Sequence, residues 1–334
     1  MTTPRYGRRR GRSFTAALSG LLDEIRNPTT GRAKVLVATL AALAFALLSL
    51  IVASIFFLSR ALMPVQAQES TSPSSFLGSA ETVEFTTPDG KLHDAWFFPG
   101  LRDSPVIVLC HGYRSSRTEV MTLATSLQMH RYNVLAFNFA GHGDSPVGYT
   151  TLGNLESVEL LAALRSLEGR SDADISRVGL WGYSLGGYAV LSAAPDFPGV
   201  QAIVVDSAYA RPANLLQREL GRLGADIIPL LGPITTLEFH IFALFQEGRP
   251  GPPEALARLG GIPKLFIAGE DSPQLGQLTR ELYEQAPEPK ELATLARSNL
   301  ASMTESDRRT YEDRVVRFFL QHLPLNPSPP ARRP

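Results

Sequence analysis

The stretch VGLWGYSLGGYAVLSAA, residues 178–194, decides how the rest of the chain is read. It opens as a continuous apolar run and ends as a helical pattern. Between the two lies G-x-S-x-G: Gly182, Tyr183, Ser184, Leu185 and Gly186. A serine on a tight strand-to-helix turn needs glycines around it, because side chains there would clash. The turn lifts the Ser184 hydroxyl to the top of a sheet. A glycine-rich turn carrying an idle serine would give the same five letters. The flanking strand and helix patterns favour the first reading.

Working outward, further apolar runs occur at PVIVLC (105–110), YNVLAFNF (132–139), QAIVVD (201–206) and KLFIAG (264–269). Unbroken runs of this length fit strands buried on both faces of a parallel sheet. ELATL (291–295) is a weaker candidate for an eighth strand. ETVEFTT and LHDAWFF alternate around the turn TPDG and predict an antiparallel hairpin. Helical patterns cover 116–130, 155–169, 185–195 and 306–323. Strands alternating with helices imply a doubly wound α/β sheet, with the ligand site at the carboxyl ends of the strands.

Two of those ends carry further signals. His111-Gly112-Tyr113 follows PVIVLC, and an H-G step there turns a backbone N–H toward the serine. The N–H groups of Tyr113 and Leu185 then make a two-donor oxyanion hole. NFAGHGDS (138–145) ends the next strand. Its His142 and Asp144 look like triad members, but they precede the serine in a glycine-rich turn, and a structural role is the better reading. Cys110, the single cysteine, ends an apolar run and reads as a small buried hydrophobe.

EFTTPDG, HGY, NFAGHGDS, GYSLGG, VVDSAY and FIAGEDSP, in this order, resemble the α/β-hydrolase superfamily. The likeness is to its membrane-anchored esterase- and peptidase-like branch, near the Bem46-type and serine-aminopeptidase-like proteins, and covers about residues 80–323. It implies an eight-stranded, mostly parallel sheet with a cap insertion at about 207–263. It also implies hydrolysis of an ester, thioester or amide by an acyl-serine route, with no metal or organic cofactor. The family's order is Ser, Asp, His. Its acid follows the strand KLFIAG. The usual spacing falls on Ser272, so Asp271, one residue early, is the candidate.

The family's histidine follows the last strand. Here that loop reads ARSNLAS (296–302), and Ser298 or Asn299 stands in its place. The histidines are His93, His111, His130, His142, His240 and His322, and only His322 follows Asp271. A serine hydroxyl is a poor nucleophile until a base takes its proton. Imidazole does this near neutral pH, whereas asparagine and serine cannot. His240, in the apolar cap sequence ADIIPLLGPITTLEFHIFALF, is a candidate relocated base. A cap histidine with no catalytic part is the plainer reading.

The first 34 residues are basic. Residues 35–58 carry no charge, and Arg60 follows. About 20 apolar residues suffice to cross a bilayer. The charge asymmetry puts the N-terminus in the cytoplasm and the later residues outside it. A signal cleaved after Ala67 is the alternative to an uncleaved anchor. Residues 59–80 read as a linker and 324–334 as a disordered Pro-rich tail. The chain has 32 basic and 32 acidic residues, so its balance argues against nucleic acid as a partner. A single span disfavours a transporter. Two readings remain: a hydrolase fold whose activity is lost or strongly impaired, retained to bind a hydrophobic or acyl ligand, and an active serine hydrolase working with His240. Substrate and oligomeric state stay open.

Overall fold

The structure, a computed structural model, describes residues 30–64, 80–145, 148–246 and 249–325. Two compact units cluster separately, residues 1–56 and 57–334. In the first lies most of helix α1 (Gly31–Leu62), which has a mean hydropathy of 2.8 in its most apolar window. At 1.5 Å per residue, 32 residues extend about 48 Å, more than the roughly 30 Å hydrocarbon core. One helix of this kind is a candidate span. Residues 59–62, read from sequence as linker, continue it. The cleavage signature at Ala67 lies outside the described residues.

The second unit is built on an eight-stranded sheet in the order β1-β2-β4-β3-β5-β6-β7-β8. Strands β1 (Glu81–Thr86) and β2 (Leu92–Phe98) form the antiparallel hairpin, with Gly90 at φ 81° in its turn. Helix and strand alternate after it: β3 (Ser104–Cys110), α2 (Met121–Met129), β4 (Asn133–Phe137), α3 (Asn154–Arg165), β5 (Ala173–Tyr183), α4 (Leu185–Ala193) and β6 (Val200–Asp206). The cap supplies α5 (Pro212–Arg222), α6 (Leu231–Ala243) and α7 (Pro252–Leu256). Then come β7 (Lys264–Gly269), α8 (Pro273–Gln285), β8 (Lys290–Leu295) and α9 (Glu305–His322). Apart from the pairings of β1 with β2 and β2 with β4, the sheet is parallel.

Every residue of β3, β4 and β7 is buried, as their unbroken apolar runs require. Weak ELATL does form a strand, paired with β7 from Lys290↔Lys264 to Leu295↔Gly269. As the sheet's edge strand it is only half-covered, so its pattern is less apolar. Helix α9 packs Tyr311, Val315, Phe318 and Phe319 into the core behind the central strands. The parallel strands point their carboxyl ends to one edge, where Cys110, Phe137, Tyr183, Asp206, Gly269 and Leu295 terminate.

Candidate active site

The chain reverses sharply between β5 and α4. Ser184 has φ 49° and ψ −105°, a strained conformation for a residue with a side chain. The turn is held by its neighbours. The Ser184 N–H donates to the Asp206 carbonyl at 2.8 Å, and Gly186 N–H to the His111 carbonyl at 3.1 Å. A Cβ at Gly182 would stand 2.3 Å from the Gly186 carbonyl oxygen, and one at Gly186 would stand 2.1 Å from that of Cys110. Three backbone segments meet here with no room for a methyl group. Ser184 is only 3 % exposed, and its hydroxyl has no hydrogen-bond partner among the described residues.

Gly112 lies against the Tyr183 ring, where a Cβ would approach Cδ1 to 2.5 Å. The HGY turn is thereby seated on the elbow. The N–H groups of Tyr113 and Leu185 have no acceptor among the described residues. Both remain available as donors to an oxyanion.

His111 is fixed from both sides. Phe139 N–H donates to Nε2 at 3.1 Å, so Nδ1 carries the proton and donates to the Gly112 carbonyl at 2.8 Å. Burial lowers its pKa to about 3, so it stays neutral and anchors the turn. His142 is buried too, which lowers its pKa to about 4, and its Nδ1 donates to the Ala140 carbonyl at 3.1 Å. Asp144 receives Nη2 of Arg117 on both oxygens at 2.9 Å. Arg117, itself buried, lies over the Trp96 ring at 3.9 Å. His142 and Asp144 thus do not pair with each other.

Asp271 begins the turn from β7 into α8 and reaches the loop after β8. Ser298 N–H donates to its Oδ1 and Asn299 N–H to its Oδ2, each at 3.1 Å. In a triad, a carboxylate here would receive an imidazole Nδ1–H. Instead it receives two backbone donors. The Ser298 side chain is fully buried, with its Oγ 3.3 Å from that of Ser207. Asn299 is half-buried, and its Oδ1 accepts the Ala301 N–H at 3.1 Å.

The remaining candidate bases lie apart from this arrangement. His240 is exposed on α6, beside the Phe239 ring at 6.2 Å, and makes no hydrogen bond to Ser184. His322 faces Glu291 of β8 at 3.4 Å and the Phe318 ring at 4.7 Å.

Three features of the site were missed in the sequence. Asp206 ends β6 wholly buried, with Ser207 Oγ donating to its Oδ1 at 2.9 Å and no hydrogen bond to Oδ2 among the described residues. Burial raises its pKa to about 7, while the hydroxyls of Ser207, Ser298 and Tyr311 oppose that rise. The signal was one acid closing an apolar run. Second, α5 meets the loop after β3 through Arg114 and Glu219, 3.9 Å apart. Burial raises the Glu219 carboxyl above its usual range, and Arg222 Nε donates to it at 2.7 Å. Third, the Tyr113 hydroxyl donates to the Ala61 carbonyl at 2.7 Å, a contact across fifty-two positions. In the cap, a pocket of about 850 Å³ is lined by Leu220, Ile228, Leu230 and Pro233 together with Gln274 of α8, and Ser184 does not line it.

With this geometry in hand, comparison with known proteins is informative. A family model described as alpha/beta hydrolase family matches residues 107–330. The uncharacterized protein YfhR of Escherichia coli strain K12 is 28% identical over 259 residues, covering 75% of this chain and 83% of that protein. Protein Rv2307c of Mycobacterium tuberculosis is 26% identical over 255 residues, with the same coverage of 75% and 83%. Among solved structures, the Pyrococcus furiosus esterase Pf2001 superposes with a TM-score of 0.63 at 21% identity, over 79% of this chain and 99% of its own. A dienelactone hydrolase from Anabaena variabilis gives 0.52 at 18% identity, over 73% and 98%. At these identities the two structures speak for the fold alone.

Proposed function

From a chain that belongs to the α/β-hydrolase family, we propose a membrane-anchored member whose acyl-serine chemistry is lost or strongly impaired. The proposed nucleophile is Ser184, with Tyr113 and Leu185 as oxyanion donors and Asp271 as the family's acid. The ligand it retains is a small hydrophobic or acyl compound. The observation that carries this reading is at Asp271, whose two oxygens are taken by the backbone of Ser298 and Asn299. Among the described residues, no imidazole hydrogen-bonds to Asp271 or Ser184. Serine hydrolases that lose a triad member keep only about 10³–10⁴-fold acceleration over water. The anchor is α1, with the basic N-terminus in the cytoplasm and the hydrolase domain on the other side, as the charge asymmetry supports.

A second reading rests on a specific observation. The elbow keeps its strained serine, and both oxyanion donors are unoccupied. That arrangement supports an active enzyme if a base reaches Ser184 from the cap, with His240 the candidate.

Hydrolysis of p-nitrophenyl acetate and butyrate by the full chain in detergent tests the choice. The first reading predicts turnover equal to that of Ser184→Ala. Turnover that falls on Ser184→Ala supports an enzyme, and a further fall on His240→Ala supports the relocated base.

A further inference from the structure

The cap helix α6 has two apolar faces and only one is covered. Leu231, Thr235 and Phe239 face inward and are buried. Leu237, Ile241 and Leu244 follow the spacing of a second helical stripe, 60 %, 50 % and 80 % exposed. Phe245, next in the chain, is 81 % exposed. A contiguous apolar patch of this kind marks a contact surface.

What covers it is indicated by its neighbours. Leu62, the last residue of the candidate span, accepts the Thr150 N–H at 2.8 Å. The adjacent Tyr149 packs edge-on against Phe242 at 5.4 Å, and its hydroxyl donates to Gln246 at 3.2 Å. The stripe's C-terminal end therefore lies beside the point where the chain leaves the span. Ala61 and Leu62 are buried, and the Ala61 carbonyl is held by Tyr113. A bilayer crossed by α1 comes up to the same junction.

We propose that α6 lies in the headgroup region of the phospholipid bilayer, with Leu237, Ile241, Leu244 and Phe245 turned to the acyl chains. This rests on the anchoring proposed above. Apolar helix faces bury at the boundary between headgroups and acyl chains. The cap is thereby placed to receive acyl compounds from the lipid phase.

The test uses the full chain in phosphatidylcholine–phosphatidylglycerol vesicles. Leu244→Cys and Phe245→Cys are labelled with bimane, and Met129→Cys is the reference, being 77 % exposed at the end of α2. Cys110 stays unlabelled, because it is fully buried and burial pushes its thiol pKa up. Doxyl-labelled lipids should quench positions 244 and 245 several-fold more than 129, and iodide should do the reverse. Equal iodide quenching at all three, in protein that resists carbonate extraction, overturns the docking and leaves the anchor standing. Release of the protein by carbonate overturns the anchor and the docking together. Shielding from both quenchers with a cross-linked dimer assigns the face to a second copy and also overturns the proposal.

Discussion

Ser298 and Asn299, which the proposed reading puts in the place of the base, are not equivalent. Asn299 is half-buried and caps a short turn, so a larger ring has more room there than at Ser298. Ser298 is enclosed, and its Oγ already lies 2.2 Å from where a Gly269 Cβ would be. Asn299→His should therefore raise Ser184-dependent ester hydrolysis by about 10²–10⁴-fold, the usual contribution of a positioned base. Ser298→His should lower the melting temperature without a gain. Equal behaviour of the two, or no gain from Asn299→His, would mean that the loop does not present the position inferred. Asp206 makes a separate prediction. Its raised pKa means that the folded chain holds a proton which the unfolded chain releases near the usual carboxylate range. This contribution to stability should fall as pH rises from about 4 to 7 and level off above, by up to about 4 kcal/mol. The difference in thermal unfolding between wild type and Asp206→Asn across this range reads it out, because His111 and His142 titrate there with the opposite sign. An unchanged slope would place the titrating group elsewhere.

At the scale of elements, the sheet's carboxyl edge is tied together by backbone contacts that leave no space. The approach of Gly186 to the Cys110 carbonyl joins α4 to β3. Gly186→Ala should cost about 1–3 kcal/mol through overpacking, read as a lower melting temperature. An unaffected melt would contradict so close an approach. The hydrogen bond from Tyr113 to Ala61 ties the loop after β3 to the end of α1. Tyr113→Phe should lose about 0.5–1.5 kcal/mol and leave the backbone donor in place. The elements themselves were largely legible in the sequence. Parallel strands buried on both faces write themselves as unbroken apolar runs, and the elbow is marked by its glycines. Helix α8 was not singled out, because its apolar positions are spread through the polar sequence PQLGQLTRELYEQ. Pairings such as Asp271 with the Ser298 and Asn299 N–H groups are made by the backbone, and side-chain identity carries no trace of them.

At the scale of the molecule, the proposed reading is of a family fold that keeps the costly part of its machinery. The strained Ser184 and the unoccupied N–H groups of Tyr113 and Leu185 are present, while the loop that Asp271 reaches carries no histidine. The absence of histidine from ARSNLAS was legible from the sequence. That the acid's oxygens are already satisfied required the structure, and it makes the loop self-sufficient rather than merely incomplete. The most direct measurement is labelling of the full chain by a fluorophosphonate near neutral pH, wild type against Ser184→Ala. The account predicts that wild type labels no faster than Ser184→Ala. Rapid labelling abolished by Ser184→Ala would show an activated serine and contradict it.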